Sequence, residues 1–206
     1  MVMRFDRISW THWALGVIAL AVLLKSTTPA QSEFILDIDQ IGADVVVTGS
    51  GTLDLTDLSG PFANAFSAFM TPQFSQIANG SPIDVPVDVY GGITGGPVSF
   101  GPGNGFASFP NTGSGDLVFI NLGMLLVPSG YGSGAALSNI STYSNQTFAT
   151  LGVTPGTYVY TWGNGDHADT LTLNINAAVP EPASLTLLGS ALLGFAASRR
   201  HRRRRS

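Results

Sequence analysis

The chain of 206 residues contains no cysteine, and between residues 31 and 178 it contains no lysine or arginine. The first absence excludes disulfides, thiolate metal sites and thiol catalysis, so the fold must be stabilised by its packed core. The second excludes Schiff-base chemistry, and phosphate recognition lacks both its usual cations and a Gly-Lys-Ser/Thr loop. Long apolar runs are missing too. The two greasiest stretches, Trp13 to Leu24 and Ala183 to Ala197, hold 12 and 15 residues, fewer than the ~20 of a comfortable membrane span.

What charge there is has been sorted by position. The whole chain is −4; residues 1–30 carry +2 and residues 179–206 carry +5, so residues 31–178 carry −11. Those eleven charges are all carboxylates, from Glu33 to Asp169. Such a segment should be soluble and repelled by nucleic acid and anionic lipid, so no nucleic-acid partner is expected. Uronic-acid-rich polysaccharide would be repelled as well, unless a divalent cation bridges the two. At 148 residues the segment is long enough to bury one good core, and a single domain is expected.

Both ends read as addresses. Arg4 and Arg7 precede the apolar run from Trp13 to Leu24, and Ser26-Thr27-Thr28-Pro29-Ala30 follows. A basic start, a short apolar centre and small residues at Thr28 and Ala30 predict a secretory signal peptide over 1–30, cut after Ala30 by signal peptidase. The other end has three parts: Val179-Pro180-Glu181-Pro182, the apolar run 183–197, and a basic tail 198–206 with Arg199, Arg200, Arg202, Arg203, Arg204 and Arg205. As a helix the run would be about 22 Å long against a hydrocarbon core of about 30 Å. Thr186, Gly189, Ser190 and Gly194 lower its hydrophobicity further. A marginal anchor whose arginines stay cytoplasmic suits a segment meant for removal. The bland alternatives are an ordinary tail anchor or a basic amphipathic helix. Both ends keep their arginines inside, which places the middle outside.

This tail resembles the PEP-CTERM sorting signal of exopolysaccharide-producing Gram-negative bacteria. The resemblance rests on Val179-Pro180-Glu181-Pro182-Ala183-Ser184-Leu185, Leu187-Leu188-Gly189, Leu192-Leu193-Gly194 and the closing arginines, within residues 179–206. It implies recognition and cleavage at or near Pro180-Glu181-Pro182 by a membrane-embedded exosortase. Release to, or attachment at, the cell surface would follow a transient stay in the inner membrane. Residues 90–175 also resemble the bodies of other PEP-CTERM proteins, through Gly96-Pro97-Val98-Ser99-Phe100-Gly101, Gly113-Ser114-Gly115-Asp116, Val127-Pro128-Ser129-Gly130-Tyr131, Ser133-Gly134, Leu151-Gly152-Val153-Thr154-Pro155-Gly156-Thr157-Tyr158 and Thr161-Trp162-Gly163. That second resemblance brings no activity with it.

The body reads as all-β. Residues 31–178 hold 22 of the 25 glycines, many in turn-like clusters such as Gly101-Pro102-Gly103-Asn104-Gly105. Between them lie short segments of period-2 alternation. Ile83, Val85, Val87 and Val89 alternate with Asp84, Pro86, Asp88 and Tyr90, and Pro86 predicts an edge strand because it lacks an N–H. Leu171, Leu173 and Ile175 alternate with Thr170, Thr172 and Asn174. Further strands are expected at 34–39, 44–48, 52–58, 116–120, 124–127, 147–151 and 157–162. Strands of this length with frequent turns predict a single β-sandwich, a jelly roll being one option. Phe62, Phe66, Phe69 and Met70 stand at helix-like spacing before Pro72, so 61–76 is expected to be one short helix, with a strand pair as the alternative.

Three constellations bear on function. Tyr158, Tyr160 and Trp162 alternate along one strand; exposed, they would form a sugar-stacking platform, and buried, they are core, which is the preferred reading. Asn164, Asp166 and Asp169 offer hard oxygen ligands in a glycine-containing loop, a set that suits calcium, but Asn164-Gly165-Asp166 is also an ordinary turn and is read as one. His167 beside them is read as a solvated loop residue, with no Gly-x-Ser-x-Gly elbow to supply a nucleophile. The carboxylate pairs Asp37/Asp39, Asp54/Asp57 and Asp84/Asp88 read as solvated faces rather than opposed glycosidase acids. No catalytic residue is assigned and no cofactor is expected beyond the calcium alternative. The expected function is that of a non-catalytic structural or adhesive protein of the cell surface or extracellular matrix. A calcium-assisted exopolysaccharide-binding module and a secreted hydrolase are the alternatives.

Overall fold

The computed structural model describes residues 33–176. The expected signal peptide, Ala30, and the sorting tail with its motif, apolar run and arginines lie outside the described residues. Twelve strands form two six-stranded sheets. The first sheet runs in the order β11 (Gly156–Trp162), β12 (Asp169–Ile175), β1 (Glu33–Ile41), β2 (Asp44–Gly51), β10 (Leu137–Tyr143), β7 (Thr112–Gly115). The second runs β3 (Ser59–Phe66), β6 (Val85–Gly91), β9 (Met124–Pro128), β8 (Val118–Ile120), β5 (Gln76–Asn79), β4 (Phe69–Thr71). The expected all-β sandwich is what forms. Strands β1 and β12 pair in parallel, Phe34 opposite Leu171 and Ile38 opposite Ile175, so the two ends of the described chain meet inside one sheet.

Period-2 alternation builds the core. Phe34, Leu36 and Ile38 of β1 and Leu171, Leu173 and Ile175 of β12 are buried, as are Ile77, Val118, Ile120, Leu125 and Val127 of the second sheet, all in one cluster between the sheets. Tyr160 and Trp162 belong to that cluster with 0% and 1% exposure, and Tyr158 packs against it. Tyr160 and Trp162 therefore make core and half-buried Tyr158 packs on it, so the three do not form an exposed platform.

Polar side chains fasten the sheets across this core. Asn79 of β5 donates through Nδ2 to Asn139 Oδ1 at 2.6 Å and to the Val47 carbonyl at 3.3 Å. Asn139 of β10 donates through its own Nδ2 to the Asp116 and Asn79 carbonyls at 2.7 and 3.3 Å. Both asparagines are buried. Nearby, Ser141 Oγ accepts from the Gly80 N–H at 3.0 Å and donates to the Gly80 carbonyl at 3.2 Å. Gly49 leaves the room this clasp needs, because a Cβ there would lie 2.8 Å from Leu36 Cδ2 and would strike Asn139 Oδ1. A second fastening joins Tyr160 Oη to the Ser75 hydroxyl at 2.7 Å and the Ser75 carbonyl at 3.1 Å.

Four local expectations are corrected. Residues 61–76 form not a helix but most of β3, then β4, a short 3-10 turn at Pro72–Phe74 and the start of β5. An i, i+4 pair such as Phe62 and Phe66 satisfies a strand as well as a helix, since four is two strand periods. Pro86 does not mark an edge: β6 pairs with both β3 and β9. Its missing donor costs nothing because the β9 ladder ends at Val87 opposite Pro128, and the Pro86 carbonyl accepts from the Ser129 N–H just beyond. Residues 52–58 look like a strand but form no ladder. Leu53 and Leu55 are buried, while the N–H groups of Leu53, Asp54 and Leu55 go to Tyr131 Oη, Asp169 Oδ2 and Ser133 Oγ. Three side chains replace a neighbouring strand. Residues 148–151 form a helical turn, α1 (Phe148–Leu151), because Thr147 and Thr150 make a reciprocal capping box.

Candidate functional site

The loop from Trp162 to Asp169 lies at the rim of the first sheet, against the strand-like segment 52–58. Trp162 Nε1 donates to the Asp54 carbonyl at 2.7 Å. Asp169 is buried, its carboxylate accepting from the Asp54 and Thr170 N–H groups at 2.6 Å each. Asn164 receives its backbone anchor from Asp57, whose Oδ2 accepts from the Asn164 N–H at 2.9 Å. Asp166 sits on an exposed 3-10 turn, Gly165–His167. The residues weighed as calcium ligands are thus split between an exposed turn and a buried strand start. Among the described residues, no group of three His, Asp or Glu side chains is placed to hold a metal ion.

His167 is tied into this rim. Its Nδ1 lies 2.9 Å from Asp54 Oδ2, while Asp54 Oδ1 accepts from the Thr56 N–H and hydroxyl at 2.9 and 2.5 Å. Burial pushes the Asp54 carboxyl up, but the hydrogen bonds from Thr56 and His167 outweigh it and hold the group below its ordinary value. His167 is raised, first by its hydrogen bond to Asp54, with the charges of Asp54, Asp57 and Asp166 adding to it. The pair latches the loop at an exposed rim. Its partners are turn residues and backbone, an arrangement suited to holding a loop in place.

The more distinctive feature is on the far side of the second sheet, and no single stretch of the sequence marks it. Registers join Phe69 to Ala78, Ala78 to Phe119, Phe119 to Leu126, Leu126 to Val89 and Val89 to Phe62. Directly opposed residues share a face, so one apolar row crosses all six strands from edge to edge. It lies on the face opposite the main core: on β9, Leu125 and Val127 belong to the main core and Leu126 to a separate cluster with Ala78, Val87, Val89, Leu117 and Phe119. Phe66, Phe69 and Val85 pack on that cluster. Phe66 meets Phe119 edge-on with centroids 5.4 Å apart, and Phe69 stacks on Phe119 at 5.9 Å.

This outer cluster is incompletely covered. Phe62 is 59% exposed and Phe109, whose ring lies 6.2 Å from that of Phe69, is 64% exposed. Two shallow clefts open here, one of about 430 Å³ between Phe66, Phe69 and Phe109, the other of about 210 Å³ between Phe62, Phe119, Met124 and Leu126. Asp84 is the one carboxylate among the residues lining them. On a body of eleven carboxylates this is the apolar, nearly uncharged face. Its signal was present in the sequence as Val85, Val87 and Val89, but alternation alone does not say which of two faces a sheet turns to its partner.

A family model for the PEP-CTERM protein-sorting motif matches residues 178–204. The chain carries a PEP-CTERM sorting motif. The motif marks it for export and for membrane-associated sorting by an exosortase. The match covers the tail and not the described body. Neither the curated proteins nor the solved structures gave a match. With the PEP-CTERM motif in place, the apolar outer face belongs to a domain addressed to the outside of the cell.

Proposed function

We propose that the protein is a structural or adhesive component of the cell surface or extracellular matrix, acting by contact through the outer face of its second sheet. The signal peptide is removed after Ala30, the tail holds the chain briefly in the inner membrane, and exosortase cuts at or near Pro180-Glu181-Pro182. The observation that carries the contact reading is the apolar row from Phe69 to Phe62, ending in a phenyl ring that is 59% exposed. Covering apolar surface gains about 25 cal/mol per Å², so these clefts and rings reward an apolar partner. The carboxylates elsewhere keep the domain soluble and discourage unselective association. Sugar stacking on the strand of Tyr158, Tyr160 and Trp162 plays no part in this reading, because Tyr160 and Trp162 are buried.

The experiment compares native-host cells displaying the unaltered protein with cells displaying Phe62→Asp combined with Phe109→Asp. Surface amounts are equalised by immunoblot, and attachment to alkylated glass is counted. Attachment falling to the level of cells lacking the protein is the expected result. Undiminished attachment at equal display would reject the contact reading.

A further inference from the structure

Strand β3 is one of the two edges of the second sheet, and residues 62–66 read Phe-Ala-Asn-Ala-Phe, the same in both directions. We propose that β3 pairs antiparallel with the β3 of a second copy of this chain, about a twofold axis through Asn64, joining two six-stranded sheets into one of twelve strands. The inference rests on the contact reading above and names the partner at one margin of that face.

The backbone supports this pairing and selects its register. The Pro86 carbonyl points to the β9 side, where it accepts from the Ser129 N–H, so the backbone of its partner Ala65 points away from β6. Two residues back, Ala63 points the same way. The outward donors and acceptors of the edge are therefore those of Ala63 and Ala65. In the twofold register Ala63 faces Ala65 of the partner subunit, and each such pair exchanges two N–H···O bonds, giving four in all. Asn64 then faces its own copy and Phe62 faces Phe66, both as the closely approaching pairs that carry no ladder bonds. Aromatic residues so opposed attract one another. The apolar row would continue across the junction rather than stop at an exposed Phe62.

The ends of the pairing are set as well. The β3–β6 register shifts between Ser59 and Phe62, and Pro61 has no N–H, so the regular edge begins at Phe62. Every residue from Ser59 to Ala65 is exposed, and none in β3 carries a charge. A long uncharged edge is one that proteins usually blunt. Here the blunting is reversible: Asn64 Oδ1 accepts from the Ala65 N–H at 2.8 Å, and pairing requires that side chain to let go. Like net charges of −11 on two bodies oppose the encounter, so association should strengthen with salt as screening grows.

The chain has no cysteine, which makes the register directly testable in the protein recovered from its host. Opposed residues without ladder bonds have Cα atoms about 4.5 Å apart, within disulfide range. Under mild oxidation Asn64→Cys should form a covalent dimer at least tenfold faster than Ala149→Cys, a control on the exposed face of α1. Phe62→Cys and Phe66→Cys should each stay monomeric alone, since four residues of strand separate like positions by about 13 Å, and should cross-link when mixed. Ala63→Pro removes an outward donor without touching the β6 ladder, and should turn a dimer into a monomer in sedimentation at unchanged circular dichroism. Cross-linking of Asn64→Cys no faster than the control, homodimers of Phe62→Cys alone, or an Ala63→Pro dimer would each overturn the proposal. If the dimer fails these tests while Phe62→Asp/Phe109→Asp still abolishes attachment, the contact reading stands without it.

Discussion

Replacing Asn139 by alanine should destabilise the folded domain by about 3–5 kcal/mol. The side chain makes three bonds: Oδ1 accepts from Asn79 Nδ2 at 2.6 Å and Nδ2 donates to the Asn79 carbonyl, both across to the second sheet, and Nδ2 also donates to the Asp116 carbonyl in the link between β7 and β8. Alanine returns none of them. Asn79 Nδ2 keeps only its 3.3 Å bond to the Val47 carbonyl, and the carbonyls of buried Asn79 and half-buried Asp116 each lose a donor. A net hydrogen bond is worth about 1 kcal/mol and a buried polar group left unpaired costs about 1–3 kcal/mol. Partial relaxation trims the sum to the range stated. Against a typical stability of about 5–15 kcal/mol the loss is large, and at about 2–4 °C per kcal/mol the melting temperature should fall by roughly 6–20 °C. Urea unfolding, with the slope unchanged and the midpoint lowered, is the assay. A loss under about 1 kcal/mol would show that the clasp is solvated or slack and that the sheets are held by apolar packing alone.

Tyr160→Phe should cost about 1–3 kcal/mol by unpairing Ser75, whose hydroxyl and carbonyl both meet the phenol; ultraviolet titration of the parent should find this tyrosine ionising only at about 12, burial being the main cause. His167 should titrate above 6.5 by NMR, and Asp54→Asn should return it toward that value. Because His167 is raised, its contribution to stability is full below 6.5 and fades as pH rises through the raised midpoint; because Asp54 is lowered, its contribution holds above 3.8 and fades as pH falls through the lowered one. The latch is therefore complete between 3.8 and 6.5, and unfolding midpoints of parent and His167→Ala should differ most there. Phe119→Ala should cost about 3–5 kcal/mol, as for a core residue, although it lies on the sheet's outer side; Phe62→Ser, on the exposed margin, should change stability by no more than about 0.5 kcal/mol.

The strands that sequence reading found are those whose alternation separates apolar from polar, such as β1 and β12. Strand β10, Leu137–Tyr143, was missed because Ile140 faces outward while Asn139 and Ser141 face the interior, which inverts the usual pattern around the polar clasp. Segment 52–58 shows the reverse case: its alternation was legible, but nothing local announced that Tyr131, Asp169 and Ser133, distant in sequence, would bind its N–H groups. Helix α1 looks like a strand in sequence because a capping box of two threonines carries no acidic signature. The sorting tail was readable in full because its parts are contiguous. The apolar outer face was not, since it is assembled by register from six strands, and its members look individually like ordinary core.

The central claim, an exported contact domain delivered by its tail, is tested most directly by the intact mass of the protein in the surface fraction of its native host. A chain beginning near Gln31 and ending near Pro180 is the predicted result, and any excess mass would identify the group attached on sorting. A chain that keeps Arg199 to Arg205 and stays in the membrane would contradict the account.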